Sequence, residues 1–226
     1  MSTQTAVLLG ATGLIGEQVL QYLLQDDAFE RVRILVRKPI EIIHPKLEIQ
    51  IVNFANPEDF KAKLGAGDCI FCCIGTTQGK VKGDKNAYRK VDYDIPVHAA
   101  RFGKEAGFTK YLFVSSVGAD SSGGSFYLKL KGEVEEAIIR QNFETLHIFQ
   151  PGLLLGSRKE FRLGEIIGKG LINGFSFLLQ GKYKKYRGIQ SADVALAMVH
   201  AAKQSSQGKY VYENNAIIAM AATTDK

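Results

Sequence analysis

Cysteine is scarce in this chain of 226 residues, and its three copies, Cys69, Cys72 and Cys73, fall in one short segment. They lie in or beside one predicted buried strand, where successive side chains alternate between faces, so they read as small core residues. That placement argues against disulfides. With no second cysteine pair and no paired histidine nearby to complete four ligands, no metal site is expected either. Histidine is equally sparse: His44, His98, His147 and His200 are scattered, without helical metal-binding spacing, and read as structural or solvated. No apolar run approaches the ~18 residues of a membrane span, and no basic segment precedes a cleavable apolar stretch. The expectation is a cytoplasmic protein with no membrane contact. Internal repeats, linkers and low-complexity tracts are also missing, which suggests a single domain over 1–226.

What is present is an alternation. Apolar strand-like segments near 5–10, 31–36, 47–52, 68–74, 110–116 and 144–150 alternate with helical spacing near 14–25, 57–63, 85–106 and 126–141. Such a pattern predicts an α/β, doubly wound parallel sheet covered on both faces. Pro96, inside the third helical stretch, is expected to start a helix segment or to kink one. After Pro151-Gly152 the alternation fails. The segment 152–190 is rich in Gly, Leu and Phe and reads as a small C-terminal substrate lid of short helices and loops, followed by a helix near 192–203 and a short strand at 209–212. Phe161, Leu163, Ile166, Ile167, Phe175, Phe177, Leu178 and Leu179 are candidates to line or cover a cleft and exclude water from it.

Gly10-Ala11-Thr12-Gly13-Leu14-Ile15-Gly16 joins the first strand to the first helix. Glycines at i, i+3 and i+6 allow a tight turn, close approach of backbone to a pyrophosphate, and packing of the new helix on the sheet. Phosphates would meet N–H groups at the positive end of the helix dipole. This marks a dinucleotide site, a Rossmann-type arrangement. The second strand ends in Arg37-Lys38-Pro39, where an adenosine ribose would sit. A carboxylate there accepts from a ribose 2′-hydroxyl, whereas cations favour a 2′-phosphate, so two cations and no carboxylate point to NADP over NAD.

A phosphorylated cofactor also suits the formal net charge of +6. The cations cluster only around Lys80-Val81-Lys82 and in Lys182-Tyr183-Lys184-Lys185-Tyr186-Arg187. The second cluster interleaves aromatics with cations as single-strand binders do. No nucleic-acid motif accompanies it, and a solvated loop near the substrate cleft is the preferred reading, with no nucleic-acid partner.

The fifth strand ends in Ser115-Ser116, and the following helix carries Tyr127 and Lys131 at i, i+4, on one face. A phenol beside an ammonium ionises more easily and can exchange a proton at neutral pH. Ser116, at the carboxyl end of a strand, is placed to hydrogen-bond a substrate oxygen. Asp92 and Asp94, near the start of a helix segment, read as complements to its dipole.

Several motifs together carry a resemblance: the G-x-x-G-x-x-G turn, Phe71-Cys72-Cys73-Ile74-Gly75-Thr76-Thr77, Ser115-Ser116 before Gly118-Ala119-Asp120, Tyr127-Leu128 leading to Lys131-Gly132-Glu133-Val134-Glu135, and Pro151-Gly152-Leu153-Leu154-Leu155. Over nearly its whole length the chain resembles the short-chain dehydrogenase/reductase superfamily. More narrowly it resembles the atypical, NmrA-like branch containing the Tat-interacting-protein oxidoreductase family. The resemblance implies that Thr12, Gly13, Leu14 and Ile15 line the phosphates and that Arg37 with Lys38 holds the 2′-phosphate. It further implies that Ile74 and Gly75 wall the adenosine side, that Lys131 bonds the nicotinamide ribose, that Leu154 offers backbone to the nicotinamide end, and that Arg162 reaches the cofactor or an acidic substrate group. Ser116, Tyr127 and Lys131 would be the catalytic set. Gln150 departs from the pattern, since relatives often carry Arg before the Pro-Gly. Leu9 stands where Thr is frequent.

Three functions follow as alternatives. The first is an NADP-dependent reductase of a small carbonyl compound. The second is an NADP(H)-binding regulatory or assembly protein acting through a protein partner. The third is a nucleic-acid binder using the segment from Lys182 to Arg187, and it is the least supported.

Overall fold

Why the chain forms its sheet is visible in the first strand. In β1 (Gln4–Leu9) the residues Ala6, Val7, Leu8 and Leu9 are all fully buried, as a central parallel strand requires. Their side chains divide between the two faces: Ala6 and Leu8 join one core, Val7 and Leu9 the other. A computed structural model describes residues 3–77, 79–156 and 187–223. It runs through β1, α1 (Leu14–Gln25), β2 (Phe29–Val36), β3 (Leu47–Ile51), α2 (Pro57–Leu64), β4 (Cys69–Cys72) and α3 (Lys85–Arg89). After a π-helical turn (Lys90–Asp94) come α4 (Ile95–Glu105), β5 (Lys110–Val114), α5 (Phe126–Ile139), β6 (Thr145–Gln150), β7 (Leu153–Leu155), β8 (Gly188–Gln190), α6 (Ser191–Lys203), β9 (Gly208–Glu213) and α7 (Asn214–Ala221).

Seven strands pair in the order β3-β2-β1-β4-β5-β6-β9, all parallel. Helices α1, α6 and α7 supply buried residues to the core on one face, and α2, α4 and α5 to the core on the other. The doubly wound parallel sheet read from the sequence is therefore the architecture. The cysteines sit as expected: Cys69 and Cys73 belong to one core, Cys72 to the opposite one, and all are free thiols. Burial pushes the thiols of Cys69 and Cys72 up, which keeps both protonated and inert.

Three differences from the sequence reading bear on function. The helical stretch 85–106 is helical from Lys85 to Glu105 as expected but not α-helical throughout, because a π turn lies between α3 and α4. Pro96 has no N–H to bond the carbonyl four residues back and sits at the start of α4, so the chain widens its turn just before it. Second, 152–190 is not only helices and loops. Its ends form β7 and β8, a separate parallel pair, and the residues between, 157–186, lie outside the described ones. Third, α7 follows β9 directly, a helix that the sequence periodicity does not suggest. Its first residue, the buried Asn214, accepts from the Gly152 N–H at 2.7 Å and donates to the Arg187 carbonyl at 2.6 Å, which clamps both ends of the β7–β8 excursion.

Candidate active site

The sheet order reverses between β1 and β4, so their carboxyl ends open a crevice, the usual ligand position in a doubly wound fold. The glycine turn forms one wall. Gly10 has φ +87°, and a Cβ on it would stand 2.7 Å from the carbonyl carbon and oxygen of Cys73 at the end of β4. A Cβ on Gly16 would fall 2.0 Å from the Gly10 carbonyl oxygen, so this glycine serves the packing of α1 against the turn. Gly13 opens α1 in extended conformation and supplies no side-chain cap, which leaves the helix N-terminus available to an anion.

The crevice has two contiguous halves that share Cys73 and Ile74. One is lined by Gly10, Thr12, Gly13, Arg37, Ile74 and Gly75, together with Phe54, Thr76 and Lys80. The other is lined by Leu14, Ile15, Ser116, Tyr127, Lys131 and Leu154, with Ser115, Pro151 and Gly152. Twelve predicted site residues are thus gathered along one trough, although they come from turns and elements far apart in sequence. Lys38 lies exposed beside Arg37 and is not among the lining residues, whereas Lys80, to which the sequence reading gives no role here, is. Arg162, the other candidate lid residues and the basic segment 182–186 fall outside the described residues.

In the inner half, Ser116 and Lys131 are buried and Tyr127 is half-buried. The Lys131 ammonium lies 5.9 Å from the centre of the Tyr127 ring and 5.3 Å from that of Phe113. Tyr88 meets Tyr127 edge-on with ring centres 6.5 Å apart. The glycine after Lys131 has a positional reason. A Cβ on Gly132 would come 2.2 Å from the backbone nitrogen of Ser121, so only glycine lets the 120–121 loop lie against α5.

Asp92, read from sequence as a dipole complement, is instead a buried anion 1% exposed. Its Oδ1 lies 3.3 Å from Lys131 Nζ, and its Oδ2 accepts from the Thr76 N–H at 2.7 Å. No sequence signal marks this role, because the π turn that carries Asp92 follows no hydrophobic period.

Ser115 is engaged differently from its neighbour Ser116. Its hydroxyl donates to Glu135, and Gln150 Nε2 donates to both Glu135 carboxylate oxygens, at 2.9 and 3.0 Å. Burial raises the Glu135 carboxyl, and the bonds from Ser115 and Gln150 offset only part of that. Gln150, the departure from the family pattern, thus meets an acid with an amide rather than a guanidinium.

The residues present fit a dinucleotide: a glycine cradle that side chains would fill, an uncapped helix N-terminus and a polar trough leading to a Ser, Tyr and Lys set. Comparison with known proteins agrees, since a family described as NAD(P)H-binding matches residues 10–205. The chain belongs to this NAD(P)H-binding family. It is 28% identical to Protein HTATIP2 of Rattus norvegicus, over 100% of this chain and 92% of that protein. It is 33% identical to Protein FMP52-1, mitochondrial, of Scheffersomyces stipitis, over 89% of each. Among solved structures, the Bordetella bronchiseptica enzyme WbmH in complex with NAD+ aligns with TM-score 0.68 at 13% identity, covering 97% of this chain and 79% of that one, a likeness of fold.

Membership in the NAD(P)H-binding family bears out the resemblance to the atypical short-chain dehydrogenase/reductase branch and the Rossmann-like architecture. The expected cytoplasmic location does not stand. The Scheffersomyces stipitis relative is named mitochondrial, as are those of Debaryomyces hansenii and Candida albicans. No helix among the described residues is long and apolar enough to cross a membrane, and no cluster of potential metal ligands occurs among them.

Proposed function

We propose that this protein is an NADP-dependent oxidoreductase of the short-chain dehydrogenase/reductase type, acting on a small carbonyl or alcohol substrate with Tyr127 as its acid and base. The observation that carries the reading is the meeting of Ser116, Tyr127 and Lys131 on one wall of the trough whose other end is the glycine cradle. A bound nicotinamide cofactor supplies or accepts the hydride. Thr12 and Gly13, with the N–H groups that open α1, bind its phosphates. Arg37 pairs with a 2′-phosphate, and Ile74 and Gly75 wall the adenosine half. Ser116 Oγ donates to the substrate oxygen and opposes the charge that develops there. In reduction, Tyr127 Oη gives that oxygen its proton, and in oxidation it takes the proton away. The Lys131 ammonium, close to the phenol ring, stabilises the negative charge left when the proton departs. Leu14, Ile15 and Leu154 place apolar surface beside these groups and keep water from the reacting atoms.

Titration with NADPH and NADH, followed by a panel of aldehydes, ketones and quinones with reduced-nicotinamide absorbance recorded, tests the proposal. Tight NADPH binding with oxidation that disappears in Tyr127→Phe is expected, and cofactor affinity is expected to survive that substitution. Tight binding without oxidation across the panel would overturn the enzymatic reading in favour of a cofactor-binding regulatory protein. Tighter binding of NADH would overturn the NADP assignment.

A further inference from the structure

Lys85 opens α3 and is exposed. A cation in the first turn of a helix meets the positive end of the dipole, so the helix itself gives no reason for a lysine there. The neighbouring Asp84 carboxylate is already engaged, since its Oδ1 caps α3 by accepting from the N–H groups of Asn86 and Ala87 at 2.8 and 3.1 Å. Lys85 turns instead to an aromatic face. Its Nζ lies 5.4 Å from the centre of the Phe126 ring. Phe126 precedes Tyr127 on α5, and Tyr88 of α3 meets both rings edge-on, with centres 5.7 Å from that of Phe126 and 6.5 Å from that of Tyr127. Tyr88 is buried and its hydroxyl donates to the Thr76 carbonyl at 3.1 Å, which anchors α3 to the loop that walls the trough. The Lys85 ammonium is thereby held on the Tyr127 side of the trough, beside the chain neighbour of the acid/base group.

Resting on the reductase reading of the same site, we infer that Lys85 is a specificity-determining residue and that the substrate is an anionic carbonyl compound, whose carboxylate or phosphate meets the Lys85 ammonium while its carbonyl oxygen lies at Ser116 and Tyr127. The cofactor gives no reason for a cation at this end. On that reading its phosphates belong to the glycine turn and to the outer half lined by Arg37 and Lys80, and the nicotinamide beside Tyr127 carries none. Two other cations on this side are taken, Arg89 by Glu133 and Lys131 by Asp92, whereas Lys85 pairs with no carboxylate among the described residues. The lining around the reacting atoms includes the apolar Leu14, Ile15, Val114 and Leu154, so a charge on the substrate has to lie outward, where water and a cation can meet it. An ammonium resting on a ring face keeps N–H donors free for such a charge-assisted bond.

Matched substrate pairs decide this in the full chain with NADPH: butanal against succinic semialdehyde, and glyceraldehyde against glyceraldehyde 3-phosphate, in wild type, Lys85→Gln and Lys85→Arg. Wild type is expected to favour the charged member of at least one pair, and which pair responds tells a carboxylate from a phosphate. Lys85→Gln keeps an extended polar side chain and removes the charge. It is expected to lower the charged-to-neutral ratio of kcat/KM about tenfold, through KM rather than kcat, because the contact is made equally in the ground and transition states. Lys85→Arg is expected to restore most of the ratio, and higher ionic strength to shrink it in wild type. A ratio that Lys85→Gln leaves unchanged would overturn the inference with the reductase reading still in place, as would a wild-type preference for the neutral member of both pairs. A weaker NADPH dissociation constant in Lys85→Gln would overturn it too, by giving the cation to the cofactor. Should wild type reduce no carbonyl compound, binding to the NADPH-loaded protein, read from the fluorescence of the reduced nicotinamide, separates the two readings. Glutarate is compared with glutaramide, and glycerol 3-phosphate with glycerol. Binding of either anion that Lys85→Gln abolishes would remove the reductase reading and keep the anion site, whereas binding that ignores charge, or none, would overturn the inference as well.

Discussion

Replacing His147 by Phe tests how far burial of one ring governs acid stability. His147 lies on β6, fully buried, with its Nδ1 3.0 Å from the Tyr212 hydroxyl and its ring stacked on those of Tyr210 and Tyr212 with centres 5.3 and 5.8 Å away. Its Nε2 is a buried atom with no hydrogen-bond partner among the described residues. Burial, helped by the nearby Lys110 ammonium, depresses the imidazole from 6.5 to about 4. Between those values the unfolded chain carries a proton that the folded chain refuses, so stability rises with pH across the window. The contribution is fully present above about pH 6.5 and is lost as pH falls through about 4, and the gap corresponds to about 3 kcal/mol. Phe preserves a ring for the stack and cannot titrate. Urea unfolding of both proteins at pH 7 and at pH 5 gives four stabilities, and the pH-independent cost of the substitution cancels in their double difference. Wild type should lose roughly 2 kcal/mol more than His147→Phe between the two pH values. Parallel pH profiles for the two proteins would refute the reasoning and mean that the folded chain accommodates a charged His147.

Three further outcomes follow from the geometry. Gly16→Ala should drive α1 away from the Gly10 carbonyl, with a loss of about 1–3 kcal/mol in urea unfolding and weaker dinucleotide binding; an unchanged affinity would show that the turn yields elsewhere. Lys80→Ala should weaken NADPH more than NADH in a fluorescence titration, by about tenfold for the loss of one charge-assisted contact, while Lys38→Ala should change the ratio little; the opposite ranking would move the 2′-phosphate away from the trough wall. Glu135 has its carboxyl raised by burial, so its contribution to stability is present below the ordinary value of 4.5 and lost as pH rises. Glu135→Gln should therefore gain stability relative to wild type on going from pH 4 to pH 7, and a constant difference across that range would show that Ser115 and Gln150 compensate the buried charge fully.

Much of the fold was legible because its determinants are local. A strand buried on both faces needs a run such as Ala6-Val7-Leu8-Leu9, and a turn that brings backbone against Cys73 needs Gly10, so both can be recognised within a short window. The i, i+4 spacing of Tyr127 and Lys131 on α5 is equally local. Less could be read where a residue's role depends on what packs against it. Gly132 stands in the sequence only as part of a motif, and its reason is the 120–121 loop lying across it. Lys38 and Lys80 are both cations near glycine or proline, and chain proximity favours Lys38, yet the wound loop after β4 is what brings Lys80 to the trough.

The sequence by itself determined the parallel sheet, the glycine cradle and the chemical types available at the carboxyl edge, because period, spacing and side-chain chemistry belong to short segments. The tertiary structure alone decided that Asp92 is a buried partner of Lys131 rather than a surface complement to a helix dipole, and that Asn214 clamps Gly152 to Arg187. The physical reason is common to both: a polar side chain leaves no periodic trace, and whether it is solvated or buried is settled only when distant elements close around it and oblige each donor to find an acceptor.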